Sequence, residues 1–588
     1  MTTTGVHMLR SRTSVAVAFG VMALVASSLA ASAAPSRPSH PTRASQPSSG
    51  TQEYVVGFNQ GASAGEDAIA AAGGTVIDVN EDLGLALVNT TNANFLDEVR
   101  GEGGVTGAAR NHSVGTSQLG MPHRFADERP SAADHAAVDR AGSSAASQSS
   151  RTSRRGEPLA NLQWDMTMIG ATADGAHRRN TGRGVDVGII DTGIDGTHPD
   201  IAPNFDARRS RNFTMDIPAV DGACEEATCI DPSNVDDNGH GTHVAGTVAA
   251  DNNGFGIGGV APDATLVNLR AGQDSGFFFV FETVAALTEA GNLGLDVVNM
   301  SFFTDPWAYN CASRADYVSG EVSDEELAEQ VFIRQTVQAA TAYAHDHGVT
   351  LVAAAGNSHL NLAAPTRADT ISPDFPADID GNPLNAHPRV VTNNCLDLPS
   401  EAPDVIQVSA VGPSTTKADY SNYGQPNIEV AAPGGWFRDF VGTPAFSTPE
   451  NLVLSSYPLD VAIEEGLANP DGTPADGFSV QYCNNRGRCG FYTRLQGTSM
   501  ASPHTVGVVA LIISSHGRHT RGGGRALNPD TVAQILARTA TDHPCPAGGV
   551  EIYTDEGRPA EFNAVCEGTT ARNGLYGEGI VSATNAVR

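Results

Sequence analysis

The chain has 588 residues, enough for two to four folding units at about 100–200 residues each. It carries 66 acidic against 35 basic side chains, a net charge of −31, which argues against a nucleic-acid partner because phosphate binding rests on clustered Lys and Arg. Lys417 is the single lysine. A phosphate-binding Gly-Lys loop is therefore absent, and Schiff-base or Ser-Lys chemistry would have to use that one residue.

Residues 1–33 open with Arg10 and Arg12, continue in an apolar run from Val15 to Leu29, and end in Ala31, Ser32 and Ala33. This pattern predicts a cleavable export signal, and the run is too short to span a bilayer, which takes roughly twenty residues. Residues 34–52, rich in Ser, Pro and Arg, read as a linker. From 53 to 113 the pattern predicts strand 53–58, helix 65–72, strands 75–79 and 84–88, helix 94–100 and strand 105–111. That is a small two-layer βαββαβ domain of ferredoxin-like order. Residues 114–157 are polar and contain Arg151, Arg154 and Arg155. They read as an exposed, cleavable connector with too little apolar surface to fold.

Beyond it, in residues 158–588, short apolar runs at 185–190, 265–269, 297–300, 350–354 and 405–410 alternate with amphipathic stretches. Buried strands alternating with helices predict an α/β fold, a doubly wound parallel sheet covered on both faces in three layers. Residues 499–515 read as a long buried helix. All eight cysteines lie beyond residue 220, as expected of a segment maturing in an oxidising place. Cys224/Cys229 and Cys483/Cys489 are close enough to clip local loops, which leaves Cys311/Cys395 and Cys545/Cys566 as neighbours; spacing alone leaves the connectivity open. Zinc is the rival use, but no Cys-x-x-Cys pair with trailing histidines is present.

Three segments place a reactive side chain at the edge of a buried element. An apolar run ends in Asp191, before Thr192 and Gly193. His240 opens an apolar helix behind Gly239. Ser499 sits where the Gly497-Thr498 loop becomes the long helix. Serine is a poor nucleophile unless a base is beside it and an anion orients that base. The chain order Asp, His, Ser differs from the Ser, Asp, His order of lipase-type hydrolases, and Gly497-Thr498-Ser499-Met500-Ala501 lacks the second glycine of their nucleophile elbow.

With these motifs the chain resembles the subtilisin-like serine proteases, from about Leu162 to Val587, and 53–113 is similar to that family's inhibitory propeptide. The resemblance implies that Asp191 orients the imidazole, His240 is general base then acid, and Ser499 attacks the scissile carbonyl. Asn357, in Gly356-Asn357 after an apolar strand, corresponds to the family's side-chain oxyanion donor. His243 is taken as a supporting core residue. The substrate cleft should be lined by Gly272, by Ser301, Phe302 and Phe303, and by Ala354, Ala355 and Gly356. Phe303 stands where the family has glycine, so that wall is expected to be narrower or displaced. The aromatic run Phe277, Phe278, Phe279 and Phe281 fits either core or cleft border. Insertions follow Asp305 and fill much of 358–498.

For a structural calcium ion, the resemblance points to Asp200 with the loop residues Asp251, Asn253, Phe255 and Ile257, since Ca²⁺ takes several oxygens from carboxylates, amides and carbonyls. No catalytic cofactor is expected. The implied protein is a secreted, extracellular, monomeric endopeptidase acting on protein or peptide substrates. Its own propeptide would serve as intramolecular inhibitor and folding aid, and no nucleic-acid or membrane partner is expected after signal removal. The rival readings are a binding protein on an inactive protease scaffold and a maturation protease dedicated to one peptide.

Overall fold

In the computed structural model, residues 51–59, 61–111, 128–129, 156–218, 220–372, 389–520 and 524–588 are described. The signal, the 34–50 part of the linker and nearly all of the 114–157 connector lie outside them. The first elements follow the alternation of the sequence: β1 (Gln52–Phe58), a helix (Gly61–Ala71), β2 (Thr75–Asn80), β3 (Leu85–Thr90), a helix (Phe95–Arg100) and β4 (Val105–Arg110). The strands pair antiparallel in the order β2-β3-β1-β4. One face of this sheet packs Tyr54, Val56, Val88 and Ala108 against the two helices through Ile69, Phe95 and Val99. The other buries Val55, Leu85, Leu87 and Ala109.

That second face lies on a pair of helices, Val280–Leu293 and Asp324–Asp346. Gly57 and Gly107 leave room for the Phe332 ring: a Cβ on Gly107 would lie 2.4 Å from Phe332 Cδ2. At the rim Arg110 pairs with Glu329 at 2.6 Å and with Glu325. Asn111 accepts the Phe281 N–H at 3.0 Å and donates to Glu282 at 3.1 Å.

The larger sheet contains β5 (Asp186–Ile190), β6 (Arg211–Asn212), β7 (Thr265–Arg270), β8 (Val297–Met300), β10 (Thr350–Ala354), β13 (Val405–Val411) and β14 (Val430–Pro433). Their order is β14-β13-β10-β8-β5-β7-β6, and every pairing is parallel. Parallel strands need crossovers, and these put the Val280–Leu293 and Asp324–Asp346 helices on one face. The His240–Ala249 and Thr498–His516 helices cover the other. The chain moves out from β5 to β7 and then returns to its other side at β8, so a crevice opens at the carboxyl ends of these strands. This is the three-layer α/β arrangement expected from the sequence.

The insertions build strands of their own. β9 (Tyr317–Ser319), β11 (Thr366–Asp369) and β12 (Arg389–Thr392) form one antiparallel sheet, and β15 (Val453–Tyr457), β16 (Val480–Cys483) and β17 (Cys489–Leu495) another. Four disulfides close in the neighbouring pairs, Cys224–Cys229, Cys311–Cys395, Cys483–Cys489 and Cys545–Cys566. Cys311–Cys395 ties the two insertions together. Among the described residues no helix is long and apolar enough to cross a membrane.

Phe332 is the apolar centre of the contact between the small sheet and the helix pair. Phe332→Ala should cost about 3–5 kcal/mol, read as a lower urea midpoint and as faster amide exchange at Val55 and Ala109 in a Ser499→Ala background. Unchanged exchange at those two amides would show that the ring does not hold the sheet.

Candidate active site

Each functional side chain sits where a buried element ends. Asp191 follows β5 directly and is fully buried; its main-chain carbonyl accepts the N–H groups of Ala271 and Gly272, both at 3.1 Å, just past β7. One carboxylate oxygen takes the Thr192 N–H at 2.8 Å and the His240 Nδ1–H at 2.7 Å. His240 starts its helix because Gly241 permits close approach: a Cβ there would lie 2.1 Å from the Gly193 carbonyl. The Asp-Thr-Gly turn and the His-Gly helix start therefore fit together only through these glycines.

Ser499 lies in the first turn of the Thr498–His516 helix, whose N-terminal end faces the crevice. Asn357 is presented by Gly356, which takes φ +96° at a turn where a Cβ would lie 2.5 Å from Asn422 Nδ2. The Asn357 side-chain Oδ1 accepts from Thr498 N at 2.9 Å and Thr498 Oγ1 at 2.8 Å. Its NH₂ is thereby turned into the crevice. His243, one turn beyond His240, is buried with Nε2 at 3.2 Å from the Val453 carbonyl. Burial, reinforced by the nearby His240, pushes its pKa down to about 3, so it stays neutral.

One residue of the site comes from the connector. Glu128 reaches into the crevice and is almost fully buried. Its Oε1 accepts Ser499 Oγ–H at 2.5 Å and Asn357 Nδ2–H at 2.9 Å; its Oε2 lies 3.0 Å from His240 Nε2. Its carbonyl accepts the Gln496 N–H at 3.0 Å. The next residue, Arg129, pairs with Glu465 at 2.6 Å and donates to Tyr457 Oη at 2.8 Å. The connector was expected to be exposed throughout, and these two residues correct that expectation. Composition reports apolar burial, whereas this dipeptide is held by charge and hydrogen bonds. No local signal marks Glu128 among the other acidic residues; only the donors that meet it do.

The cleft residues fall on both sides of Ser499. Ser301 Oγ donates to the Ser499 carbonyl at 3.1 Å. Phe302 stacks on Phe278 with centroids 3.9 Å apart, and the Phe278 ring also closes over Gly272. Phe303, where the wall was expected to be narrower or displaced, packs on the cluster of Ala308, Tyr309 and Val391 around the Cys311–Cys395 bridge. The insertion offers it an apolar surface of its own. Phe277, Phe278, Phe279 and Phe281 are all buried, and Phe278 and Phe281 belong to the core beneath the small sheet. Ala354 ends β10, and Ala355 and Gly356 lead to Asn357.

The five positions read as calcium ligands surround one loop. The Asp200 carboxylate takes the Tyr492 hydroxyl at 2.7 Å and the Ile257 N–H at 3.0 Å. Asn253 turns its NH₂ to the Pro199 carbonyl at 3.2 Å, and the Asp251 N–H goes to the Asp200 carbonyl at 2.9 Å. The Phe255 and Gly254 N–H groups are taken by Glu157. Gln163 clamps the same loop with reciprocal bonds to Gly258 at 2.9 and 3.1 Å.

Peptidase S8, the subtilase family, matches residues 182–572. The chain belongs to the subtilase family. Fervidolysin of Fervidobacterium pennivorans is 28% identical over 393 residues, covering 66% of this chain and 41% of that protein. M-protease of Shouchella clausii is 29% identical over 353 residues, 60% of each chain. The chain thus matches less than two thirds of either relative's length. Among solved structures, the epidermin leader peptide processing serine protease of Staphylococcus aureus superposes with a TM-score of 0.56 over 92% of this chain and 98% of its own, at 19% identity. At that identity the likeness speaks for the fold, the subtilase α/β fold.

Burial alone pushes the His240 imidazole down, but the charges of Asp191 and Glu128 more than reverse this and hold it at about 10. The histidine therefore stays protonated while Glu128 is in place. The stabilisation is complete below the ordinary histidine pKa of about 6.5 and is lost as pH rises through about 10. Removing one of the two carboxylates should lower that value. Histidine-selective ¹⁵N NMR on a Ser499→Ala chain should find the His240 midpoint at least about one pH unit lower after Glu128→Gln; an unmoved midpoint would refute the contact.

Proposed function

We propose that this subtilase is an exported serine endopeptidase made as a zymogen. In this reading Ser499 attacks the scissile carbonyl while His240 takes its proton and later returns it to the leaving amine, with Asp191 fixing the ring. Asn357 donates to the oxyanion, and its amide is preorganised because Thr498 holds its other end. The observation that carries the proposal is the meeting of Ser499, His240 and Asn357 on a single carboxylate, with Asp191 behind the imidazole at 2.7 Å. Asn357 Nδ2, which here donates to the Glu128 carboxylate, is a donor that the oxyanion of the tetrahedral intermediate would also meet.

Latency is proposed at two levels. The 53–113 domain lies on the helix pair, and the 114–157 connector delivers Glu128 to the nucleophile. Arg129, gripped by Glu465 and Tyr457, keeps that glutamate in register. Cleavage of the connector would let the dipeptide leave. Export is supported by the 1–33 pattern and by the four disulfides. The substrates implied are extended protein or peptide segments, which can add as a strand at the cleft edges.

A fluorophosphonate probe should label Ser499 slowly in the intact chain and at least about tenfold faster at pH 7 in Glu128→Ala, the ratio expected for losing one charge-assisted bond to the nucleophile. Absence of labelling after connector removal would favour the inactive-scaffold reading. In the matured enzyme, Asn357→Ala should lower turnover by about 10²–10³, equivalent to roughly 2.7–4 kcal/mol, with little change in KM. Full turnover in that variant would remove Asn357 from the mechanism.

A further inference from the structure

The pocket that Arg129 enters is built by the 358–498 insertion and stands beside the catalytic histidine. Tyr457 ends β15 and packs with Val461, Ala462 and Phe491 in a small core of that insertion. Its ring lies against the turn before His240: a Cβ on Gly239 would lie 2.3 Å from Tyr457 Cζ. Its hydroxyl is 3.0 Å from the Asn238 carbonyl and 2.9 Å from Glu465 Oε2, either of which can take its one proton. Glu465 follows the short helix Leu459–Glu464 and closes it, its N–H bonding to the Val461 carbonyl at 2.9 Å.

The field in this pocket is negative. The Glu465 side chain is only 13% exposed, and the buried Asp236 adds its charge nearby. Burial pushes the Glu465 pKa up, and the Arg129 charge pulls it back. A carboxylate so placed favours a cation over any neutral group. In the intact chain Arg129 is that cation, dividing its terminal nitrogens between Glu465 at 2.6 Å and Tyr457 at 2.8 Å. It arrives from a backbone that lies at the nucleophile, because Glu128, one residue before, holds Ser499 with its carboxylate and the Gln496 N–H with its carbonyl. An extended segment following the same edge would set a side chain in the pocket close to the bond being cut.

We propose that Glu465 and Tyr457 form a subsite of the cleft that selects a basic side chain of the substrate, arginine above all. The proposal rests on the endopeptidase reading of the Ser499 site and adds the class of substrate. Arg129 fills the subsite while the connector is in place, and a substrate arginine takes it once the connector has left. Arginine is favoured over lysine because its planar fork serves the carboxylate and the hydroxyl together. An acidic side chain would meet Glu465 and Asp236 and be rejected.

The test uses the full chain after cleavage of its connector, with a diverse peptide library in which each position flanking the cleaved bond carries arginine or citrulline in turn. Citrulline keeps the shape and loses the charge. Arginine should raise kcat/KM at least about tenfold over citrulline at one position, as expected for a charge-assisted bond. Glu465→Gln should bring that ratio to within about twofold of one, a change that loss of fold or of overall activity would not produce. The subsite is overturned if arginine and citrulline are cut alike at every position, or if Glu465→Gln keeps the preference. Should Glu465→Gln fail to fold, Glu465→Ala is read in its place: a retained preference refutes the subsite and a lost one supports it. A connector-cleaved chain that cuts none of the peptides overturns the endopeptidase reading and the subsite together, whereas cutting without preference for arginine overturns the subsite alone.

Discussion

The hydrogen bond between Asp191 and His240, 2.7 Å long and sealed from water, is the contact on which the site depends. A carboxylate buried at the end of a parallel strand is tolerable only because an imidazole and a backbone N–H meet it there. That requirement sets the local architecture. β5 must end in a glycine turn, the His240 helix must begin against that turn, and Ala271 and Gly272 just past β7 must supply two N–H groups to the Asp191 carbonyl. The doubly wound strand order then brings the Ser499 helix and the Asn357 turn to the same edge. All four side chains are held by elements whose own packing lies deep in the core, so the crevice is organised before any substrate enters.

An arrangement built to receive negative charge will accept it from any source. In this chain the source is Glu128, whose carboxylate occupies the space between nucleophile, base and amide donor. In the proposed zymogen Asn357 would serve Glu128 first and the oxyanion afterwards. The small sheet on the helix pair and the Glu128-Arg129 dipeptide act at different places: the sheet through apolar burial around Phe332, the dipeptide through charge. Separate physical origins mean that the two layers respond differently to pH and to salt.

The same electrostatic reasoning distinguishes two other buried acids. Around Asp200 the chain supplies a hydroxyl and N–H groups, and the carboxylate is satisfied by them. Around Glu465 it supplies the Tyr457 hydroxyl and, from the connector, the Arg129 guanidinium. The cost of burying a charge depends on what faces it, and that is a property of side chains far apart in the chain.

Asp191, His240, Ser499 and Asn357 were legible in the sequence because each sits in a short motif whose glycines are demanded by local geometry. The strands were legible because burial on both faces leaves continuous apolar runs, and the Cys224–Cys229 and Cys483–Cys489 clips because their cysteines are only 5 and 6 residues apart. Other features were decided only in three dimensions. Phe303 left the cleft wall because an insertion gave it an apolar surface, and Glu128 entered the site from a segment with no apolar signature. Local sequence records what a residue needs from its own turn of chain. Which distant group meets an unpaired charge or an exposed ring is settled only when the chain has folded.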